Sequence, residues 1–167
     1  GFGIEAGAPL GLRLAGYRAL ESLRLEKGYR AWGSDITPND NPYQAGLGWA
    51  VKLKSGLPFL GRPAAEQAAN SRLAKRLMTF TVDDPAVMLA GRETILRDGK
   101  AVGYLTGGGW GYTVGKNIGL GYVRNANGVD DEFLRSGRYE LEVATVRVPA
   151  ALHMGPLYDP TNARVKG

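Results

Sequence analysis

The chain has 167 residues, 44% of them hydrophobic and 22% charged, which suits a soluble globular protein of one ordinary domain, or of one small domain with an attached piece. No apolar run approaches the roughly 18 residues of a membrane span, and the absence of cysteine excludes disulfides, thiolate metal sites and cysteine nucleophiles and fits a reducing cytoplasmic compartment. The formal net charge of +5 allows an anionic ligand, but the basic residues are scattered rather than clustered, which argues against nucleic acid.

The clearest helix is predicted over Leu14 to Lys27. Tyr17, Leu20 and Leu23 recur at helical spacing and give this segment one apolar face. Gly28 follows as a C-terminal stop, and the Lys27 cation lies at the negative end of the helix dipole. We therefore expect the helix to end at Lys27.

A segment rich in Asn and Pro follows the helix. It carries Asp35 and Asp40, which we interpret as solvated side chains that turn back onto the backbone, because calcium-loop spacing is absent. Alternating apolar and small residues then predict a strand over Gly46 to Leu53. Helix-forming residues from Pro63 to Asn70, with proline in the first turn, predict a short helix.

Short β-strands are predicted to dominate the remainder of the chain. They cover Arg76 to Val82, Thr94 to Leu96, Ala101 to Leu105, Asn117 to Val123, Tyr139 to Val148 and the shorter run Leu152 to Leu157. Asp98-Gly99 is a hairpin signal, because both residues tolerate positive φ angles, and further turns are expected at Asn125 to Gly128 and Arg135 to Gly137. Short antiparallel strands without intervening helices indicate a small barrel or sandwich.

Few residues carry recognisable chemistry. The glycine-rich run Gly107 to Gly111 lacks the Gly-Lys-Ser/Thr ending of a phosphate loop, so we interpret it as a hairpin or bulge of the barrel. The single histidine, His153, has no second histidine or cysteine nearby, so we predict a structural role for it and no metal site.

Four blocks of the chain resemble the glycine-cleavage T-protein family, in the order in which that family has them. The blocks are Gly16–Ile36, where an Arg-Leu-Glu helix ends at glycine and leads into Gly-Ser-Asp-Ile; Pro42–Trp49, with Gln44 in place of the usual acid; Lys116–Val123; and Pro156–Pro160. The first two blocks are most similar to the dimethylglycine and sarcosine dehydrogenase branch. The chain is therefore identified as the C-terminal portion of an aminomethyltransferase module.

This resemblance implies an α+β protein in which the end of a mixed α/β folate-binding domain, with a linker, covers residues 1–70 and a small antiparallel β-barrel covers residues 71–167. It implies tetrahydrofolate as cofactor, and folate, a methylamine-type donor and the remainder of a parent chain as partners. A flavin is an expectation for an upstream domain alone. The family's catalytic aspartate and pterin-anchoring glutamate are expected before Gly1, so no catalytic residue is expected in this segment.

The resemblance also suggests cofactor-binding residues. Tyr29 aligns with an apolar or aromatic residue beside the folate, and Trp49 with an aromatic residue near its ring or benzoyl portion. Arg76 aligns with a basic residue at the channel mouth, where a guanidinium can pair with both oxygens of a carboxylate. Each of the three has a simpler structural alternative: packing behind the helix end for Tyr29, core packing for Trp49 and a surface cation for Arg76.

Some positions depart from the T-protein pattern. Leu20 replaces an arginine that contacts folate in the T-protein branch, and Ala163 replaces a late tyrosine; both differences favour the dehydrogenase-like branch. Two other functions on the same scaffold are a folate-dependent demethylase and a non-catalytic folate-binding assembly factor. The second carries Lys-Gly-Cys-Tyr after the helix, whereas this chain has Lys27-Gly28-Tyr29-Arg30 without cysteine.

Overall fold

A computed structural model describes residues 2–167 of the chain. The helices are α1 (Phe2–Gly7), α2 (Tyr17–Lys27), α3 (Arg62–Asn70), α4 (Asp131–Ser136) and α5 (Ala163–Lys166), with short 3-10 turns at Ala8–Leu10 and Gly48–Ala50. The strands are β1 (Lys75–Val82), β2 (Thr94–Arg97), β3 (Lys100–Gly111), β4 (Lys116–Arg124), β5 (Tyr139–Val143) and β6 (Val146–His153). In residues 2–167, no helix has the length and apolarity needed to cross a membrane.

The strands form a closed barrel in the order β1-β4-β3-β2-β5-β6. Every neighbouring pair is antiparallel, and β1 closes the ring by pairing with both β4 and β6. Closure leaves no unpaired sheet edge. The predicted fold class, α+β with a small antiparallel barrel, is confirmed.

Both faces of β1 are covered. Met78, Phe80 and Val82 point into the barrel and form part of its core, whereas Leu77 packs outward against residues of β4 and α2. This arrangement follows from the two-residue period of a strand. The outer face of β1 is therefore partly covered by the end of α2.

The glycine-rich part of β3 lets α2 approach the barrel. A Cβ atom at Gly109 would lie 3.2 Å from the side chain of Leu25, and one at Gly107 would lie 3.1 Å from the guanidinium of Arg24. The pairing of β3 with β4 shifts register between Leu105 and Gly107. Gly107 to Gly111 is part of the barrel, as expected from the sequence, but the bulge lies just before it: residues 107–111 pair regularly with β4, and their glycines serve close packing.

Four predictions of local structure are wrong. Leu152 to Leu157 is not a strand of its own, because β6 ends at His153 and the residues after it leave the sheet. Gly46 to Leu53 is not a strand; it consists of turns around the 3-10 turn at residues 48–50. Tyr139 to Val148 is two strands, because the chain reverses at Ala144 and Thr145, with φ of 47° and 70°. Arg135 to Gly137 is the end of α4, which Asp130 caps by accepting from the amide of Phe133.

Candidate functional site

A cavity of about 700 Å³ lies beside the end of α2 and the outer face of β1. The loop after α2, the turn at residues 48–50 and the segment after β6 complete its wall. Tyr29 and Trp49 both line it, with 55% and 80% of their surfaces exposed. The structure thus brings together two of the three residues that the sequence comparison suggested for the cofactor.

The end of α2 fixes the position of Tyr29. Gly28 adopts a φ of 67°, and its amide donates to the carbonyl of Leu25 at 3.1 Å. The amide of Tyr29 donates to the carbonyl of Arg24 at 2.8 Å. This pair of bonds is a Schellman-type helix end, in which glycine avoids the steric cost of positive φ.

Two buried charges of α2 anchor that helix end to the barrel and to the C-terminal segment. The carboxylate of Glu26 accepts from the amides of Thr113 and Val114 at 2.5 and 3.0 Å, in the turn between β3 and β4. Lys27 donates to the carboxylate of Asp159 at 2.7 Å. Each of these contacts joins residues that are far apart in sequence. Together they fix the end of α2, and with it this part of the cavity wall, against the rest of the fold.

The loop after Tyr29 is organised by a buried aspartate. Asp35 has no exposed side-chain surface and accepts from Arg24 at 2.6 Å, from the amide of Ala31 at 2.9 Å and from Thr106 at 2.5 Å. The hydroxyl of Tyr122 donates to the Asp35 carbonyl at 3.0 Å. The interpretation of Asp35 as a solvated side chain is therefore wrong: it is an internal link between α2, the loop and β3.

Asp40 is also tied into the fold rather than solvated. Its carboxylate accepts from Lys75 at 2.5 Å and from the amide and hydroxyl of Thr37 at 2.7 Å each, and only 7% of the side chain is exposed. Burial raises the pKa of this carboxyl, but the bonds from Lys75 and Thr37 outweigh burial and hold the pKa below its ordinary value. The solvated interpretation is wrong for Asp40 too.

Arg30 projects from the same loop onto the cavity wall. Its Nε donates to the carbonyl of Ala45 at 2.9 Å, and its Nη1 donates to the carbonyl of Gly28. Burial lowers the pKa of the guanidinium, while the negative charge of Asp35 raises it. The side chain remains a cation at neutral pH, because an arginine does not deprotonate there.

His153 also lines the cavity, at the end of β6. Its Nε2 lies 2.8 Å from the hydroxyl of Thr81. Burial and the charge of Lys116 lower the pKa of His153, and Asp83 only partly opposes them. The imidazole is therefore neutral at neutral pH.

Trp49 is presented by the turn that the sequence did not predict. Its neighbour Gly48 packs on Tyr43, since a Cβ atom there would lie 2.7 Å from the tyrosine ring. Trp49 itself is 80% exposed and belongs to neither core cluster. The structure therefore contradicts the alternative that Trp49 is a core residue.

Arg76 lies apart from this cavity. It is the second residue of β1, its Nη1 pairs with Asp131 at 2.6 Å, and it is not among the residues that line the cavity. Through that hydrogen bond its guanidinium holds the pKa of the Asp131 carboxyl below its ordinary value. Residues 2–167 contain no group of three His, Cys, Asp or Glu side chains placed to hold a metal.

The comparisons with known proteins agree with the barrel and with the segment before it. The family model described as glycine cleavage T-protein C-terminal barrel domain matches residues 75–159. The chain belongs to the glycine-cleavage T-protein family. A second model of this family, the GCVT N-terminal domain, matches residues 4–55.

Relatives within the T-protein family include enzymes. Mitochondrial sarcosine dehydrogenase of Homo sapiens is 45% identical over 166 residues, which are 98% of this chain and 18% of that protein. Aminomethyltransferase of Halothermothrix orenii is 39% identical over 121 residues, which are 72% of this chain and 33% of that protein. The chain therefore spans one third or less of the length of either relative.

A solved structure shows the same fold. The glycine cleavage system aminomethyltransferase T from Bartonella henselae matches with a TM-score of 0.71 at 24% identity, over 85% of this chain and 38% of that one. The predicted resemblance to the T-protein family, with the sarcosine dehydrogenase branch included, is confirmed.

Sequence alone did not connect Arg30 or His153 with this cavity. Arg30 follows Tyr29 directly, but no local pattern distinguishes it from a surface cation. His153 was interpreted as structural, and its contact with Thr81 agrees with that, although it also lines the cavity. The pairing of β1 with β6 places Thr79 opposite His153, and both residues line the cavity. This proximity depends on the pairing of distant strands, so no local sequence pattern indicates it.

Proposed function

We propose that this chain supplies the tetrahydrofolate-binding C-terminal part of an aminomethyltransferase-type module. In this module a one-carbon unit passes from an aminomethyl or iminium donor to tetrahydrofolate. The observation that carries the proposal is the shared cavity of Tyr29 and Trp49 in a member of this family. We infer that the two rings contact the flat pterin or benzoyl part of the cofactor, because aromatic side chains stack on planar heterocycles.

The chain contributes a wall of the site and its barrel, and the chemistry needs groups from the remainder of a longer parent. When bound, tetrahydrofolate would supply the amine that accepts the one-carbon unit, and by the family resemblance an aspartate outside this segment would handle the proton. In this proposal the cavity wall excludes water that would hydrolyse the iminium donor. We therefore expect the 167-residue chain alone to be inactive.

Exposed apolar residues support packing against other parts of such a parent. Along one side of α2 and just before it, Leu14, Tyr17, Leu20 and Leu23 are between 57% and 80% exposed. Several exposed apolar side chains on one segment are typical of an interaction site.

The division into residues 1–70 and 71–167, the flavin domain upstream and the cytoplasmic location stay predictions. The human relative is by name mitochondrial.

Titration of tetrahydrofolate tests the proposal. In the parent protein, Trp49→Ala is expected to weaken tetrahydrofolate binding by about 1–3 kcal/mol, the loss of one stacking partner. Trp32→Ala is the matched control, because Trp32 is 73% exposed and does not line the cavity. Unchanged affinity in both Trp49→Ala and Tyr29→Ala would refute the assignment of this cavity to folate.

The predicted contact between Arg76 and a folate carboxylate is tested in the same titration. The structure does not favour this role, because Arg76 does not line the cavity and its guanidinium is already paired with Asp131. If Arg76 binds the cofactor, Arg76→Ala weakens tetrahydrofolate binding, and the effect shrinks as the salt concentration rises. If it does not, affinity is unchanged.

A further inference from the structure

The cavity wall carries positive charge and no negative charge. Among its lining residues, Lys27 and Arg30 are basic and none is aspartate or glutamate. The ammonium of Lys27 is neutralised by Asp159 at 2.7 Å. Arg30 has no carboxylate within ion-pair distance in residues 2–167. The wall therefore presents one cation without a contacting counter-charge in this part of the chain.

The guanidinium of Arg30 is held in place by the backbone. Its Nε and Nη1 donate to the carbonyls of Ala45 and Gly28, so two of its three nitrogens are engaged. Its Nη2 has no acceptor among residues 2–167, and a Cβ atom at Gly46 would come within 2.8 Å of it. The glycine thus leaves room for the guanidinium against bare backbone, and Nη2 makes no hydrogen bond within residues 2–167 that a ligand would have to displace.

A fixed, partly buried cation favours an anionic partner. Burying a charge without a partner costs free energy, and burial lowers the pKa of Arg30 for that reason. The backbone contacts already restrict the rotamers of the Arg30 side chain. Binding an anion therefore costs little further side-chain entropy. Carboxylates and phosphates are the anions whose geometry an arginine matches.

We propose that Arg30 binds a carboxylate of the ligand in this cavity, through Nη2, while the aromatic body of the ligand contacts Tyr29 and Trp49. The ligand class is an aromatic carboxylate. The inference rests on the proposed function in taking this cavity as the folate site, and it assigns the carboxylate end to Arg30 in place of Arg76.

The test compares p-aminobenzoylglutamate with its uncharged diamide, by calorimetric titration of the intact protein. The two probes share the ring and differ in the carboxylates. We expect the wild type to bind the acid roughly 10- to 100-fold more tightly than the diamide, the range for a hydrogen bond to a charged group. Arg30→Gln should abolish this preference, and Arg30→Lys should keep part of it.

Arg62→Gln is the matched control. Arg62 also donates to backbone carbonyls, those of Leu53, Ser55 and Leu57, but it does not line this cavity. We expect it to keep the full preference for the acid. Melting temperatures of both variants separate a loss of binding from a loss of fold.

Several outcomes would overturn the inference: equal binding of the two probes by the wild type, binding of neither, or an undiminished preference in Arg30→Gln. If Arg30→Gln does not fold, Arg30→Lys and the salt dependence of the wild-type preference decide, because an ionic contact weakens with salt. Tetrahydrofolate is titrated in parallel. A preference that depends on Arg30 without tetrahydrofolate binding would refute the proposed function alone; tetrahydrofolate binding with no such preference would refute this inference alone.

Discussion

Replacing Asp35 by asparagine should destabilise the protein strongly, although the change alters the side chain by one atom. The carboxylate is fully buried and accepts three hydrogen bonds within 2.9 Å, from Arg24, the amide of Ala31 and Thr106. An asparagine amide cannot accept all three, because its nitrogen is a donor. The variant also leaves the Arg24 cation without its buried partner.

The expected loss follows from these contacts. Removing one partner of a buried pair costs about 3–5 kcal/mol, chiefly because the other charge stays buried and unpaired. Arg24 keeps a second carboxylate, Glu21, at 2.7 Å, so we expect the lower end, about 3 kcal/mol of the free energy of unfolding. For a chain of this size that is a fall of roughly 6–12 °C in the melting temperature.

Urea denaturation followed by circular dichroism measures the effect, with Glu21→Gln as the control. Glu21 pairs with the same arginine, but 27% of its side chain is exposed, so its loss should cost about 0–1 kcal/mol. A cost below about 1 kcal/mol for Asp35→Asn, or equal costs for the two variants, would refute the view that this buried link organises the loop.

Three further changes have expected outcomes. Trp49→Ala should leave the melting temperature nearly unchanged, because the side chain is 80% exposed; a large fall would mean that Trp49 supports the fold. Gly46→Ala should cost about 1–2 kcal/mol in urea denaturation, because φ is 69° there, and should weaken binding of p-aminobenzoylglutamate by displacing Arg30; unchanged binding would contradict that contact. The pKa of Asp40 is lower in the folded state than in the unfolded chain, so its stabilising contribution is present above about pH 4 and is lost as the pH falls through the folded pKa. Asp40→Asn should therefore flatten the acid side of a plot of melting temperature against pH, and an unaltered profile would contradict the pairing with Lys75.

Patterns of neighbouring residues were sufficient to predict one helix and one hairpin. The spacing of Tyr17, Leu20 and Leu23 predicted α2, and Asp98-Gly99 predicted the hairpin between β2 and β3, where both residues have positive φ. The reversal at Ala144-Thr145 was missed because such turns ordinarily carry asparagine or glycine.

The site depended on contacts between distant parts of the chain. The residues around Asp35 are polar, so the sequence predicts an exposed loop. Its side chain is buried because the fold brings it against β3, where it accepts from Thr106, 71 residues away. Tyr29 and Trp49 were suggested by family resemblance rather than by spacing. Arg30 was missed because only the fold places the carbonyl of Ala45 beside it.

The most direct test of the account is a crystal structure of the parent protein with tetrahydrofolate bound. The account predicts that the cofactor occupies the cavity beside α2, with its planar part against Tyr29 and Trp49. Cofactor bound elsewhere, with neither ring in contact, would contradict it.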